Sequence, residues 1–287
     1  MLQVARLAPR QLGDAAAVLQ SFLEGELHPD GGATDRGGAC DLYYTPFLLD
    51  GLIALQAELP AERVAPWLAS FGDGAELDLV HLACLARSWV ALGHEVPPGV
   101  RATVEGVLEH NRAADGGYAR RPGARQGTLY DAFLVMGAAE DLGCAVPEPE
   151  RLAGAIASCR AEQGGFADGP GLPYGATPTT AAAMVLLRRL GAPVPAGVTD
   201  WLLERVHGGG GFLAAPGVPF PDLLSTATAL HALAGVQVPL GGLREPCLDF
   251  VDTLWTGRAF VGTWEDDTAD CEYAFYALLA LGHLSLC

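Results

Sequence analysis

Residues 210–235, GGFLAAPGVPFPDLLSTATALHALAG, contain every element of a pattern that recurs along this chain. A glycine pair precedes an aromatic residue, a loop follows, and a long run rich in alanine and leucine ends at Ala234-Gly235. The glycine-aromatic element also occurs as Gly116-Gly117-Tyr118 and Gly164-Gly165-Phe166. The aromatic residues stand at 118, 166 and 212, so they recur at intervals of 48 and 46 residues.

The same interval extends the pattern in both directions. It reaches Phe260 downstream, and Phe71 and then Phe22 upstream. A second mark, a Leu-Gly or Ala-Gly step, keeps the same phase at Leu92-Gly93, Leu142-Gly143, Leu190-Gly191, Ala234-Gly235 and Leu281-Gly282. Two independent marks with one period predict six repeats of about 48 residues, which form a single domain over residues 1–287.

Each repeat is predicted to be a helical hairpin. The alanine- and leucine-rich runs are too long for strands, and Thr, Ser or Asp at their starts and glycine at their ends are typical helix caps. The segments between these runs are amphipathic. Inner, apolar helices are predicted near 41–58, 76–92, 127–142, 178–190, 222–235 and 267–282. Outer, amphipathic helices are predicted near 9–22, 61–70, 98–110, 148–161, 196–206 and 241–256.

The last apolar segment indicates how the repeats are arranged. DCEYAFYALLALGHLSLC, residues 270–287, is as apolar as any internal run, whereas an open solenoid needs polar capping repeats at its ends. The exposed face of this segment must therefore be covered, and the first hairpin is the expected partner. The sequence predicts an all-α fold, a single α/α toroid with an inner ring of six helices and an outer ring of six.

Composition excludes several classes of function. The net charge is −17, and all 17 fixed cations are arginines, so nucleic acid and anionic lipid surfaces are poor partners. No run approaches 18 uncharged apolar residues, so an integral membrane protein is not expected. The N-terminal sequence lacks the features of a signal peptide, and we expect a cytoplasmic protein. The seven cysteines form no CxxC pair, which argues against a disulfide framework.

The repeats resemble a known family. Gly262-Thr263-Trp264 followed by Asp270-Cys271-Glu272-Tyr273, and the segment Pro221–Leu230, are similar to the prenyltransferase/squalene-cyclase repeat. That repeat builds the α/α toroid of protein prenyltransferase β subunits and class II terpene cyclases. The resemblance implies a central funnel that binds an isoprenoid or another lipid. Because prenyltransferase β subunits work with an α subunit, it also implies a separate partner chain.

A diphosphate site is the first candidate. The starts of the inner helices would face one mouth of the toroid, where backbone N–H groups and helix dipoles favour an anion. Arg121, Arg125 and Tyr130 match, in order, the Arg, Lys and Tyr with which prenyltransferases hold an isoprenoid diphosphate, and arginine suits phosphate oxygens. The alternative is a solvated basic loop. Gly127 and Leu129 occupy the places of the family's zinc-binding Asp and Cys, so whether Mg or Zn is required stays open.

An acid site is the second candidate. Trp264-Glu265-Asp266-Asp267-Thr268-Ala269 resembles the DxDDTA motif of class II cyclases, with Trp264 at the first Asp. The resemblance makes Asp266 the acid that protonates an alkene, with Asp267 beside it, because neighbouring carboxylates can keep one another protonated. The alternative is that Asp266 and Asp267 are the N-cap residues of the last helix.

Weaker candidates are a metal site and an aromatic wall. Asp267 and Cys271 are four residues apart on one predicted helix face, with Asp222 or His231 on a neighbouring helix, and His81 and Cys84 form a second pair; none has spacing diagnostic of zinc. The inner helices carry aromatic residues that suit an isoprenoid chain, or that alternatively fill the core. These are Tyr43, Tyr44, Phe47, Trp89, Tyr130, Phe133, Tyr273, Phe275 and Tyr276.

Three functions remain open from the sequence. The leading one is a prenyltransferase-like protein that binds a prenyl diphosphate and transfers or ionises it. The second is acid-initiated cyclisation through Asp266. The third is a non-catalytic lipid-binding or scaffold module.

Overall fold

The computed structural model describes residues 1–286, and in this part of the chain fourteen helices and two two-stranded ladders form the secondary structure. The strands are β1 (Ala33–Thr34), β2 (Cys40–Asp41), β3 (Phe212–Leu213) and β4 (Pro221–Asp222). The helices are α1 (Leu2–Ala5), α2 (Pro9–Leu12), α3 (Ala15–Gly25), α4 (Thr45–Ala54), α5 (Ala61–Ala69), α6 (Leu79–Ala91), α7 (Pro98–His110), α8 (Leu129–Asp141), α9 (Pro149–Ser158), α10 (Thr177–Arg189), α11 (Val198–Leu203), α12 (Leu223–Gly235), α13 (Gly241–Thr253) and α14 (Cys271–Leu284). The all-α class is therefore confirmed.

The predicted helices are present, with three main differences. The first inner helix, predicted over 41–58, is shorter and spans Thr45–Ala54. The six apolar runs form α4, α6, α8, α10, α12 and α14, and the range 98–110 coincides with α7. The first amphipathic segment, predicted as one helix over 9–22, is instead broken. Gly13 has a φ of +52°, which ends α2 and separates it from α3. The last helix begins at Cys271, later than predicted, because Asp270 caps it.

The chain divides into two compact units. Unit 1 comprises residues 1–67 and the chain from residue 205 onward, and unit 2 comprises residues 68–204. Unit 1 thus brings the two ends of the chain together in one core. The single domain over 1–287 stays a prediction.

In unit 1 the final helix is the central element. α14 lies between α12 and α4, and α1, α2, α3 and α13 also pack against it. The approach is close: a Cβ added at Gly282 would clash with the carbonyl of Val4. The prediction that the first hairpin covers the last apolar segment is therefore confirmed. In unit 2, α6, α8 and α10 pack in series, α7 covers α6 and α8, and α9 and α11 pack against α10.

Two of the glycine-aromatic turns are held by a hydroxyl of the following apolar helix. The rings of Phe166 and Phe212 are fully buried. The N–H of Phe166 donates to Thr180 Oγ1 at 2.8 Å, and that of Phe212 donates to Thr226 Oγ1 at 2.9 Å. In the first repeat the N–H of Ala33 donates to Thr45 Oγ1 at 3.0 Å in the same way. Because backbone donors in the core need partners, this threonine fixes the turn to the helix.

The hydrogen bond between Ala33 and Thr45 shows that the predicted position of the first turn is wrong. The interval of about 48 residues pointed to Phe22, but Phe22 lies inside α3. The turn of the first repeat is Gly31-Gly32-Ala33, where Ala33 takes the place of the aromatic residue. Ala33 follows the end of α3 by eight residues, as Phe166 follows the end of α9, so the phase of the repeat shifts after this turn, which the spacing alone could not reveal.

Polar residues cap four of the apolar helices. Asp78, Thr128, Asp222 and Asp270 precede α6, α8, α12 and α14, and each side-chain oxygen accepts the backbone N–H three residues later. Capping of this kind contributes about 1 kcal/mol per helix. The alternative that Asp266 or Asp267 caps the last helix is wrong, because Asp270 holds that position.

Among residues 1–286, no helix combines the length and the apolar character that a membrane span requires.

The turn glycines give a stability prediction. Gly211 has a φ of +73°, and a Cβ there would lie 2.5 Å from the ring of Phe250. Gly217 has a φ of +82°, but a Cβ there would meet no atom within 4 Å. We expect Gly217→Ala to lower the free energy of unfolding by about 1 kcal/mol and Gly211→Ala by about 3 kcal/mol. Urea unfolding of both variants measures the difference, and equal losses would contradict the close packing at Gly211.

The buried threonine gives a second stability prediction. Thr226→Val keeps the shape of a fully buried side chain but leaves the N–H of Phe212 without its acceptor. We expect a loss of about 1–3 kcal/mol in the free energy of unfolding. Thr228→Val, two residues later, removes only bonds to the carbonyls of Leu224 and Ser225 in the same helix and should cost less than about 1 kcal/mol. If the two variants unfold at the same urea concentration, Thr226 does not have the proposed role.

Candidate functional site

Unit 1 contains an ion-pair cluster, the Arg36 cluster, formed by Arg36, Asp266 and Asp270. Arg36 lies in the turn between β1 and β2, where Asp35 Oδ1 accepts the N–H groups of residues 37 and 39. Its terminal nitrogens donate to both oxygens of Asp266 at 3.2 and 2.8 Å, and its Nε donates to Asp270 Oδ2 at 2.7 Å. The guanidinium also lies over the Tyr273 ring, 5.3 Å from the centroid. The cluster therefore joins an early loop of the chain to the start of α14.

The Arg36 cluster determines the protonation state of Asp266. Burial alone would raise the pKa of this carboxyl, but hydrogen bonds from Arg36 and from the N–H groups of Thr268 and Gly262 outweigh burial and lower the pKa below its ordinary value. Asp266 is therefore an ionised partner of an arginine, which disfavours it as the donor of a proton. Asp267 is exposed in the loop before α14, where its Oδ1 accepts the hydroxyl of Thr268 at 3.0 Å.

The surroundings of a different carboxyl in unit 1, that of Glu272, raise its pKa, whereas those of Asp266 lower it. Glu272 lies in the first turn of α14 and is half-buried, and its Oε1 accepts the hydroxyl of Tyr43 at 2.9 Å. Burial raises the pKa of Glu272, and the charge of Asp270 adds to this, while Tyr43 and Arg36 act against it without reversing it. The sequence prediction missed this residue. Its only signal was an acidic side chain in the first turn of an otherwise apolar helix.

Aromatic residues surround Glu272, and we call Tyr43, Phe47, Phe275 and Tyr276 the aromatic row. Tyr43 contacts Phe47 edge-on with ring centroids 5.4 Å apart, and Phe47 lies 5.9 Å from Tyr276 and 6.2 Å from Phe275. Phe275 is buried, whereas the other three keep part of their surface exposed. The aromatic row therefore belongs partly to the core and partly to an accessible face.

Tyr44 and Tyr273, both predicted to bind substrate, lie near the same carboxylates. Burial raises the pKa of each phenol to about 12, and the charges of Asp270 and Glu272 contribute. Both phenols are therefore neutral at physiological pH and can donate a hydrogen bond. That Tyr44 and Tyr273 bind substrate stays a prediction.

Unit 2 contains the second candidate, the Arg121 loop, which comprises residues 119–127. The N–H groups of Ala114 and Asp115 donate to the carbonyls of Ala124 and Arg125 at 3.0 and 3.2 Å, so the loop folds back on the preceding turn. Arg121 and Arg125 are exposed, and neither makes a side-chain hydrogen bond or ion pair with any residue between 1 and 286. Their neighbour Arg120 instead lies 3.4 Å from the buried carboxylate of Asp131.

Tyr130 follows the Arg121 loop in the first turn of α8, with 37% of its surface exposed. The N–H groups of this turn are already occupied. Leu129 donates to the carbonyl of Asp168, Tyr130 donates to the carboxylate of the same residue, and Asp131 donates to Thr128 Oγ1. The expectation that backbone N–H groups at this helix start receive an anion is therefore wrong for α8. The arginine side chains remain as the groups available to an anion.

The residues at the family's zinc positions do not fit a metal. Gly127 has no side chain and its backbone lies against Tyr118, and Leu129 is an apolar side chain that is 1% exposed. Asp267 lies before α14, so the predicted helix face shared with Cys271 is wrong. The structure instead buries Cys271, with Asp270 and Glu26 as its charged neighbours. No group of three His, Cys, Asp or Glu side chains suited to a metal lies among residues 1–286.

The remaining metal candidates have other partners. His81 Nδ1 lies 2.9 Å from Asp78 Oδ1, next to the cap of α6. His231 Nδ1 lies 3.0 Å from His283 Nε2, and burial lowers the pKa of His283 to about 4. This pair packs α12 against α14. Neither set contains a third ligand among the residues described.

Comparisons with known proteins identify the fold of this chain. No protein-family model and no curated protein matches the sequence. Candida albicans protein geranylgeranyltransferase-I complexed with GGPP matches with a TM-score of 0.69 at 13% identity, over 92% of this chain and 89% of that chain. A variant of type II terpene cyclase MstE from Scytonema, in complex with geranylgeranyl dihydroxybenzoate, matches with a TM-score of 0.61 at 14% identity, over 97% of both chains.

The same fold also occurs with a different chemistry. A glycosidase variant matches with a TM-score of 0.60 at 10% identity, over 98% of this chain and 96% of that chain. At these identities structural likeness shows the fold alone, because one fold supports unrelated functions. The resemblance inferred from the repeats is confirmed at that level: the chain has the α/α-toroid fold of protein prenyltransferases and class II terpene cyclases.

Proposed function

We propose that this protein binds an isoprenoid diphosphate, with Arg121 and Arg125 contacting the diphosphate and Tyr130 donating to it. The single observation that carries the proposal is the state of the two arginines. Both are exposed, and neither side chain forms a hydrogen bond or ion pair with a described residue. They are followed in the sequence by Tyr130, an exposed tyrosine at the start of an apolar helix.

The charge balance of the chain supports this assignment. In a protein with a net charge of −17, most cations are expected to lie beside carboxylates, as Arg36, Arg120 and Arg151 do. Without a carboxylate partner among the described residues, Arg121 and Arg125 can each form paired, charge-assisted hydrogen bonds to phosphate oxygens. A diphosphate supplies enough oxygens for both side chains.

The ligands of the structural neighbours agree with an isoprenoid. One neighbour is complexed with GGPP, and another binds geranylgeranyl dihydroxybenzoate. Because the family's zinc positions carry Gly127 and Leu129, we do not assign the protein a zinc-dependent transfer to a thiol. We propose that it transfers or ionises the prenyl group by stabilising the diphosphate as it leaves.

A second candidate function is acid-initiated cyclisation. The observation in its favour is a half-buried carboxyl, Glu272, beside partly exposed aromatic rings in unit 1. The acid that the sequence suggested, Asp266, is ionised by Arg36 and is less suited to this role. A scaffold that docks a partner chain remains the alternative if no isoprenoid binds.

The binding proposal predicts the effect of removing the two arginines. The double variant Arg121→Ala/Arg125→Ala should bind geranylgeranyl diphosphate at least tenfold more weakly than the unmodified protein, because two charge-assisted hydrogen-bonding groups are lost. Isothermal titration calorimetry measures the dissociation constant. Affinity of the unmodified protein should also fall as salt is added, since the contacts are ionic.

The matched control removes the same charge elsewhere. Arg6 and Arg10 are exposed and lie in unit 1, so Arg6→Ala/Arg10→Ala changes the net charge equally without touching the Arg121 loop. This control should bind like the unmodified protein. If both double variants weaken binding equally, the effect is one of overall charge and the site is wrong. If the unmodified protein does not bind the diphosphate at all, the proposed function is wrong.

A further inference from the structure

We infer that Asn111 and Asp115 are positioning residues, which hold Arg121 and Arg125 at a fixed spacing so that both contact one diphosphate. The inference rests on the proposed function and adds a determinant of ligand specificity to it. Asn111 and Asp115 precede the Arg121 loop in the sequence, and all four residues belong to unit 2. Each positioning residue acts through the backbone of the loop and has no assigned contact with the ligand.

The carboxylate of Asp115 joins the two ends of the Arg121 loop. Its Oδ1 accepts the N–H of Gly117 at 2.9 Å, and both of its oxygens share the N–H of Gly127 at 3.3 and 3.1 Å. The backbone N–H of Asp115 also donates to the carbonyl of Arg125 at 3.2 Å. Gly117 and Gly127 are buried, so their N–H groups need acceptors within the protein. One residue therefore closes the loop next to Arg125.

The side chain of Asn111 holds the other end of the loop. Asn111 directly follows α7 and is 9% exposed. Its Nδ2 donates to the carbonyls of Ala119 and Arg120 at 3.0 and 3.1 Å, and its own carbonyl accepts the N–H of Ala119 at 3.0 Å. Arg120 is the residue immediately before Arg121. Asn111 therefore fixes the backbone from which the Arg121 side chain projects.

The next repeat lacks both of these side-chain contacts. Cys159 and Gln163 stand at the equivalent positions, 48 residues further along the chain, and their backbones make the equivalent hydrogen bonds. The thiol of Cys159 donates to the carbonyl of Ala155 in α9, and the side chain of Gln163 forms no hydrogen bond with any residue between 1 and 286. The loop of that repeat, residues 167–175, contains no arginine. Of these two loops, the one that carries arginines is the one that side chains at these positions hold.

Holding the loop before the ligand arrives lowers the cost of binding. A loop that is ordered only on binding loses conformational freedom at that moment, and this loss weakens the affinity. The loss is largest for a ligand that needs both arginines at once. A diphosphate offers one phosphate to each arginine, whereas a monophosphate offers a single group, for which the spacing of the arginines matters less. Asn111 and Asp115 therefore favour a diphosphate over a monophosphate.

The charge of Asp115 separates its positioning role from an electrostatic one. Its carboxylate bonds the loop that carries two arginines, and it repels an anionic ligand, so removing it strengthens anion binding if charge alone matters. If Asp115 positions the loop, its removal weakens binding of the diphosphate instead. Asn111 is neutral, so its removal changes the loop without changing the charge. The two residues together therefore separate position from charge.

Calorimetric titration with geranylgeranyl diphosphate and with geranylgeranyl monophosphate tests the inference. For the unmodified protein we expect the diphosphate to bind at least about tenfold more tightly than the monophosphate. In Asp115→Ala and in Asn111→Ala, affinity for the diphosphate should fall about tenfold, while affinity for the monophosphate changes less than about twofold. Urea unfolding shows whether each variant is folded. If Asp115→Ala does not fold, Asp115→Asn, which removes the charge and one acceptor, should shift the ratio of the two affinities in the same direction.

Glu162→Ala is the matched control. It removes the same charge from an exposed side chain of unit 2 that has no hydrogen bond to the Arg121 loop, and it should bind both ligands like the unmodified protein. Unchanged or tighter diphosphate binding by the Asp115 and Asn111 variants, equal losses for both ligands, or no preference for the diphosphate in the unmodified protein overturns the positioning role. The proposed function then still stands if Arg121→Ala/Arg125→Ala binds the diphosphate more weakly. If the unmodified protein does not bind the diphosphate, both are wrong.

Discussion

The burial of α14 is the constraint on which the rest of unit 1 depends. Eleven of its fourteen residues are buried, and they include Phe275, Leu278, Leu279 and Leu284. Each large apolar side chain removed from water contributes about 1.5–3 kcal/mol, so exposing one face of this helix would cost a large part of the stability of a domain. The cover comes from α12 on one side and from the first four helices of the chain on the other. The two ends of the chain must therefore fold against each other.

That constraint also positions the charged residues. Because α4 packs against α14, Tyr43 reaches Glu272, and the loop before α4 brings Arg36 to Asp266 and Asp270. One fixed cation then faces three carboxyls at the start of a buried helix. Three negative charges around a single arginine repel one another, so protonating one of them lowers the energy of the group. Of the three carboxyls, Glu272 is the one that accepts no hydrogen bond from Arg36, so it is the one that a proton occupies most readily.

Much of the fold could be predicted from the sequence because it repeats. The glycine-aromatic turns and the alanine-leucine runs recur with one period, and that period gave the helix order, the all-α class and the cover of the last segment by the first hairpin. The first turn was misplaced at Phe22, since Ala33 carries no aromatic ring and lies only 85 residues before Tyr118, which is less than two full periods. The threonines that fix three of the turns, such as Thr226, could not be recognised without knowing which N–H each one faces.

The candidate sites were less predictable because their contacts join distant parts of the chain. Arg36 and Asp266 are 230 residues apart, and Tyr43 and Glu272 are 229 apart, so no local spacing relates them. The Arg121 loop is a short continuous segment that the resemblance located, but only the structure shows that Arg121 and Arg125 have no ion-pair partner among residues 1–286. A crystal structure with geranylgeranyl diphosphate tests the central claim most directly. The account predicts electron density for the diphosphate within hydrogen-bond distance of the Arg121 and Arg125 guanidinium groups. Density for the diphosphate elsewhere, or none at saturating ligand, would contradict it.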